Sequence, residues 1–158
     1  YTATWWWIAH AKLQREKKHK GHFIIPIFAY SDGVELSRYC GDKELNPVNM
    51  TVGNYDAWVR CKPSMGVVRA IALLPSRLKY TGSETSHQRT EQRIRANEVQ
   101  QEVNKEAFKD IGKLYKKGIE IVCPDGKIRW GHPILASWIA DYMEYTKLFS
   151  ILNKTCPA

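Results

Sequence analysis

The sequence predicts an α/β domain, and three observations lead there: short apolar runs of strand length, one long stretch with helical spacing, and turn chemistry at the ends of the runs. The runs lie at 23–29, 48–52, 65–74, 119–123 and 134–140, and the helical stretch at 88–117. Two of the runs hand an aspartate to the loop that follows them, Asp32 after the first and Asp141 after the last.

A chain of 158 residues that is 44% hydrophobic can bury a real core as one domain. Its formal net charge of +8 favours a polyanionic partner, nucleic acid or an anionic membrane surface. No apolar run approaches the ~18 residues that span a bilayer, and the start of the chain has no basic-then-apolar leader, so a soluble intracellular protein without a membrane partner is expected. Cys40, Cys61, Cys123 and Cys156 stand far apart with no Cys-x-x-Cys pair, which speaks against a closed zinc site and against a disulfide framework.

Residues 1–22 read as an aromatic and basic N-terminal segment, and 23–158 as the domain proper. Trp5, Trp6 and Trp7 cannot all share one side of a strand or helix, so a lid at the sheet edge with at least one ring exposed is expected. Lys12, Arg15, Lys17, Lys18 and Lys20 outweigh Glu16 and read as a solvated basic loop, with Lys17, Lys18 and Lys20 placed to meet phosphates. The run at 23–29 has the character of a central strand, and Ser31-Asp32-Gly33 breaks it. A carboxylate there is held by a rigid strand while its loop leaves coordination positions open, which suits a divalent metal. The same tripeptide also suits an Asx-turn, and the segment by itself favours that role.

The run at 48–52 looks like the hairpin partner of the first strand. Arg60-Cys61-Lys62-Pro63-Ser64 follows as a basic loop, with Arg60 and Lys62 as candidate phosphate contacts, and 65–74 makes a third strand stopped by Pro75. In the helical stretch Ile94, Val99, Val103, Ala107, Phe108, Ile111, Leu114 and Tyr115 predict one apolar face packed on the sheet. Lys113, Lys116 and Lys117 suit its C-terminal end and Gly118 its stop. Pro124-Asp125-Gly126 marks a hairpin, and the apolar run at 134–140 delivers Asp141. An antiparallel three-stranded meander, a long amphipathic helix and a returning strand describe a ribonuclease H-like core. In that fold the first two acids sit on adjacent strands and share the ions of a two-metal site.

The stretches YSDGVELSRYCGDKELNPVNMTVGN, RCKPSMGVVRAIALLP, GIEIVCPDGKIRWGHPILASWIADY and the final TCPA, with the opening YTATWWW, resemble in order and spacing the catalytic region of Plavaka-type transposases of fungi, relatives of the CACTA group. The resemblance covers nearly the whole chain. It implies an Asp-Asp-Glu (DDE) transposase that performs metal-dependent phosphoryl transfer at transposon DNA ends. The catalytic and metal-binding acids would be Asp32 and Asp141, the cofactor Mg²⁺ or Mn²⁺, the partner DNA, the state compatible with a homo-oligomer and the localisation nuclear. Gly33-Val34, Asn46-Pro47-Val48-Asn49 and Met143 stand where the family usually has Lys-Thr, Trp-Pro-Val-Tyr and Pro. The third acid is expected beyond Ala158, so the domain would be incomplete at its C-terminus. Cys156-Pro157-Ala158 looks like the opening of a Cys-Pro-x-Cys motif that would bind Zn²⁺ in the full-length protein. The alternative is a non-catalytic transposon-derived remnant that binds DNA or protein without cutting.

Overall fold

The computed structural model describes residues 4–17, 21–35, 44–75 and 82–149. In chain order its elements are α1 (Thr4–Glu16), β1 (His22–Ser31), β2 (Val34–Glu35), β3 (Glu44–Val52), α2 (Ala57–Arg60), a 3-10 turn at Pro63–Met65, β4 (Arg69–Leu74), α3 (Ser86–Phe108), α4 (Ile111–Lys117), β5 (Ile119–Val122), β6 (Ile128–Ile139) and α5 (Tyr142–Leu148). The strands form a six-stranded sheet in the order β2-β3-β1-β6-β5, with β4 pairing β3 off that path. The architecture is therefore mixed α/β, as expected, and β1 has a strand on either side.

The expected meander is present as β1, β3 and β4, with β3 and β4 antiparallel through pairs such as Val48 with Ala72. β2 is an addition: Gly53 N donates to Pro26 O at 2.7 Å, and Val34 pairs with Leu45. Each member of the second pair lies eight residues along its strand from the first, so β2 continues β1 along β3 in one register after the break at Asp32-Gly33. Gly53 is required by close approach, since a Cβ there would lie 2.8 Å from Pro26 Cγ and 2.9 Å from the Phe28 ring. The third run starts as a strand only at Arg69, because Gly66 takes φ +60° after the 3-10 turn. At the other end, Ile128 to Ile139 is one strand, joining the hairpin arm to the run that sequence reading kept separate across His132-Pro133.

Contacts divide the chain into two compact units. The first comprises Tyr1–Phe28, Thr51–Val67 and Phe108–Ser137. Within it Leu13, Ile24, Pro26 and His132 are almost completely buried. His132 Nδ1 lies 2.5 Å from the Tyr115 carbonyl, and its Nε2 lies 2.8 Å from His22 Nδ1. A carbonyl only accepts, so His132 Nδ1 carries a proton, and in the neutral ring Nε2 accepts from the His22 Nδ1–H. Gly118 ends α4 with φ +82°, where a Cβ would meet the His132 ring at 3.0 Å. The hairpin at Pro124-Asp125-Gly126 forms as the sequence predicts, closed by Cys123 N to Lys127 O at 2.9 Å.

The expected aromatic lid and basic loop at the N-terminus are instead the helix α1. From Thr4 to Glu16 no Gly or Pro interrupts, and Ala9, Ala11, Leu13, Gln14, Arg15 and Glu16 are strong helix formers. Trp5 and Trp7 are 39% and 60% exposed, so at least one ring does face outward.

The second unit comprises Ala29–Met50, Val68–Ala107 and Trp138–Ala158. Ala29, Val48 and Leu74 are its buried apolar residues among those described. The single long helix of the sequence reading is two helices, α3 and α4, with Lys109 and Asp110 between them. The apolar face expected to pack inward fails at its start, where Ile94 and Val99 are each 51% exposed while Gln100 and Asn104 are buried; further along, Val103, Phe108, Ile111, Leu114 and Tyr115 are half-buried. The reason is phase. Ile94 and Val99 are five residues apart, which breaks the helical interval. At 100° per residue the Val99-Val103-Ala107 stripe lies about a quarter turn from the Gln100-Asn104 line.

Candidate metal and nucleic-acid site

β1 and β6 are sheet neighbours. Trp130 N donates to Gly21 O at 2.9 Å, and the Trp138 indole donates to the Ser31 hydroxyl at 3.2 Å. Partners therefore rise together along both strands, which is the pattern of a parallel pair. Asp32 follows β1 and Asp141 follows β6, so each acid leaves its strand at the C-terminal end, and both belong to the second unit.

Asp32 is exposed in the two-residue break between β1 and β2. The residue before it is anchored: Ser31 is 5% exposed and holds the Trp138 indole. Asp141 is exposed too, but its Oδ1 accepts the Glu144 backbone N–H at 2.6 Å. That makes Asp141 the N-cap of α5, a role that satisfies an orphan donor and places negative charge at the positive end of the helix. The Tyr145 hydroxyl donates to the Trp138 carbonyl and ties α5 back to β6. The two acids thus differ: among the described residues no hydrogen bond engages the Asp32 carboxylate, whereas that of Asp141 already shares an oxygen with backbone.

Carboxylate oxygens on fixed strand ends are the donor type that hard ions such as Mg²⁺ or Mn²⁺ take, so Asp32 and Asp141 fit part of such an ion's shell. Among the described residues no group of three or more His, Cys, Asp or Glu side chains is placed to hold a metal. Cys156 lies outside the described residues, as do Lys18 and Lys20.

Of the basic residues that the sequence singled out, Lys17 is committed to structure. Its ammonium donates to the Lys116 carbonyl at 2.9 Å and so caps the negative end of α4. The Arg60 guanidinium stands 5.2 Å from the Phe28 ring centre, and the Lys62 ammonium 5.2 Å from the Trp58 ring centre. The sequence marks Arg60 and Lys62 as candidate phosphate contacts in a basic loop; their aromatic partners emerge in the structure. Trp58, four residues before Lys62, and Tyr55, three residues earlier, are the signal that the sequence offers.

No described helix is long and apolar enough to cross a membrane. A family model described as Plavaka transposase matches residues 1–158, the whole of the chain. No curated protein matches the sequence. No solved structure matches the fold.

Proposed function

We propose, from the premise that this chain belongs to the Plavaka transposase family, that it is the metal- and DNA-binding part of a DNA transposase with a ribonuclease H-like core. Its reaction would be phosphoryl transfer at transposon DNA ends in the nucleus. What carries this reading is the placement of Asp32 and Asp141 after neighbouring strands in a sheet whose meander and returning strand follow the expected order. Asp32 and Asp141 would hold Mg²⁺ or Mn²⁺, and when bound such an ion supplies Lewis-acid stabilisation of phosphoryl oxygens. The chain's own contribution is placement. Ser31 and Trp138 fix the strand end beside Asp32, and the α5 cap fixes the rotamer of Asp141. Arg60 and Lys62 would neutralise flanking phosphates, which gives affinity without sequence information.

One observation favours the second reading, a remnant that binds DNA without cutting. Asp141 already has a structural occupation as a helix cap, which would preserve it without catalysis. Manganese titration followed by the electron paramagnetic resonance of free Mn²⁺ separates the two. The metal reading expects binding by the chain and at least about a tenfold loss in Asp32→Asn, a drop of the order seen when a ligand set is disturbed. Equal Mn²⁺ binding by wild type and Asp32→Asn would remove the metal site and leave the DNA-binding remnant.

A further inference from the structure

We infer that Tyr55 and Trp58 form a stacking platform for the unpaired bases of single-stranded DNA, with Lys62 and Arg60 at its border. The inference rests on the DNA reading above and names the form of DNA that one surface takes. Trp58 is 59% exposed and Tyr55 47%, on the segment that runs from the end of β3 through α2. Large aromatic rings are usually well buried, and two exposed ones, Trp58 in α2 and Tyr55 just before its N-cap Asp56, offer flat apolar faces to a ligand.

The backbone leading into them, residues 51–54, is held at several points. Gly53 N bonds Pro26 O at 2.7 Å, the Asn54 amide donates to Ile24 O at 3.3 Å, and the Thr51 hydroxyl donates to Val67 O at 3.1 Å. A platform built on fixed backbone loses little freedom when a ligand seats on it.

Charge selects the ligand. Between residues 51 and 67 the only acid is Asp56, against Arg60 and Lys62. Aromatic faces bordered by cations match a single strand, whose bases stack on the rings while its phosphates meet the cations. A duplex keeps its bases stacked on one another and presents mainly phosphates. An anionic membrane fits less well, because seating Trp58 in the acyl region would draw in the Lys62 ammonium that rests 5.2 Å from its ring.

The test is fluorescence anisotropy of the 158-residue chain with a labelled oligothymidylate and with a duplex of matching length. Trp58→Ala should weaken oligothymidylate binding about tenfold, within the range for loss of one base stack. Duplex binding should change less than about twofold, because phosphate contacts carry it. Trp58→Phe should restore most of the loss, and Tyr55→Ala should reproduce it in smaller measure, so the inference does not depend on one variant folding. Equal losses on both probes, no loss on either, or a loss confined to co-sedimentation with anionic phospholipid vesicles would overturn the platform. Failure of the wild-type chain to bind either probe at low salt would overturn the DNA reading as well, whereas intact duplex binding with an indifferent Trp58→Ala would overturn the platform alone.

Discussion

The two compact units differ in how one buried polar side chain of each is partnered. In the first, His132 is wholly buried and both ring nitrogens have partners, with the order of donors set by the Tyr115 carbonyl. In the second, Asn104 on α3 is buried and neither its Oδ1 nor its Nδ2 has a partner among the described residues, while Asp32 and Asp141 stand exposed at strand ends. Buried polar groups that are paired cost little and specify one arrangement, whereas a buried amide left unpaired costs about 1–3 kcal/mol. In the first unit the buried polar chain thus specifies one arrangement, whereas in the second the Asn104 amide is a cost. Groups available for chemistry are those left in water.

The largest effect that would test this contrast is in the first unit. His132→Ala removes the donor to the Tyr115 carbonyl, the acceptor for His22 and a fully buried ring, and should destabilise the fold by about 3 kcal/mol in urea unfolding. A cost under about 1 kcal/mol would mean that water replaces the ring and that the chain of hydrogen bonds does not organise the unit. The opposite sign is expected in the second unit. Asn104→Leu replaces an unpaired amide with an apolar side chain of the same heavy-atom branching and should stabilise by about 1 kcal/mol. Destabilisation would show that the amide has partners in solution, such as ordered water.

The sequence showed more of the sheet than of the helices. Strands were legible because β-branched runs end at unambiguous turns: Pro75 after β4, Pro124-Asp125-Gly126 between β5 and β6, and Ser31-Asp32-Gly33 after β1. β6 was legible only in halves, because His132-Pro133 resembles a break until the burial of both residues in one strand is seen. The face of α3 was not legible. Counting apolar residues found the helix but hid the phase slip between Ile94 and Val99, and nothing local announces that Gln100 and Asn104 turn inward. At the site, Asp32 and Asp141 could be picked out as strand-end acids. The N-cap role of Asp141 was available in Asp141 and Glu144 standing three residues apart, the spacing of a capping box with Asp in the cap position. The pairing of Arg60 with Phe28 was not, since it joins residues 32 positions apart through tertiary structure.

The two aspartates sharpen the comparison inside the second unit. Asp141→Ala removes the cap of α5 and should cost about 1 kcal/mol, whereas Asp141→Asn keeps a good cap and should cost only a few tenths. Asp32→Ala, on an exposed residue in a strand break, should stay within about 0.5 kcal/mol. If the two alanine variants were equally harmless, the α5 cap would not be formed in solution, and Asp141 would be as free for a metal ion as Asp32.

The smallest effect expected belongs to the first unit's surface and concerns charge alone. Arg129 grips Asp125 with two hydrogen bonds, 2.9 Å from Nη1 to Oδ1 and 2.7 Å from Nη2 to Oδ2. That guanidinium is the main reason the Asp125 carboxyl lies below its ordinary value, with the Lys127 backbone N–H adding to it. The folded chain therefore binds the Asp125 proton less readily than the unfolded chain. The contribution to stability is present above the unfolded value of about 3.9 and is lost as pH falls through the lower folded value. Asp125→Asn keeps an Oδ1 acceptor for the Lys127 N–H and Arg129 Nη1, and deletes the charge together with the Oδ2 acceptor for Arg129 Nη2. Melting temperatures measured between neutral and acid pH should show wild type slightly ahead at neutral pH, the two converging in acid, and the gap narrowing as salt is added because the pair is exposed. A gap that persisted below the folded value, or that ignored salt, would assign the effect to lost hydrogen-bond geometry in the hairpin and not to the ion pair.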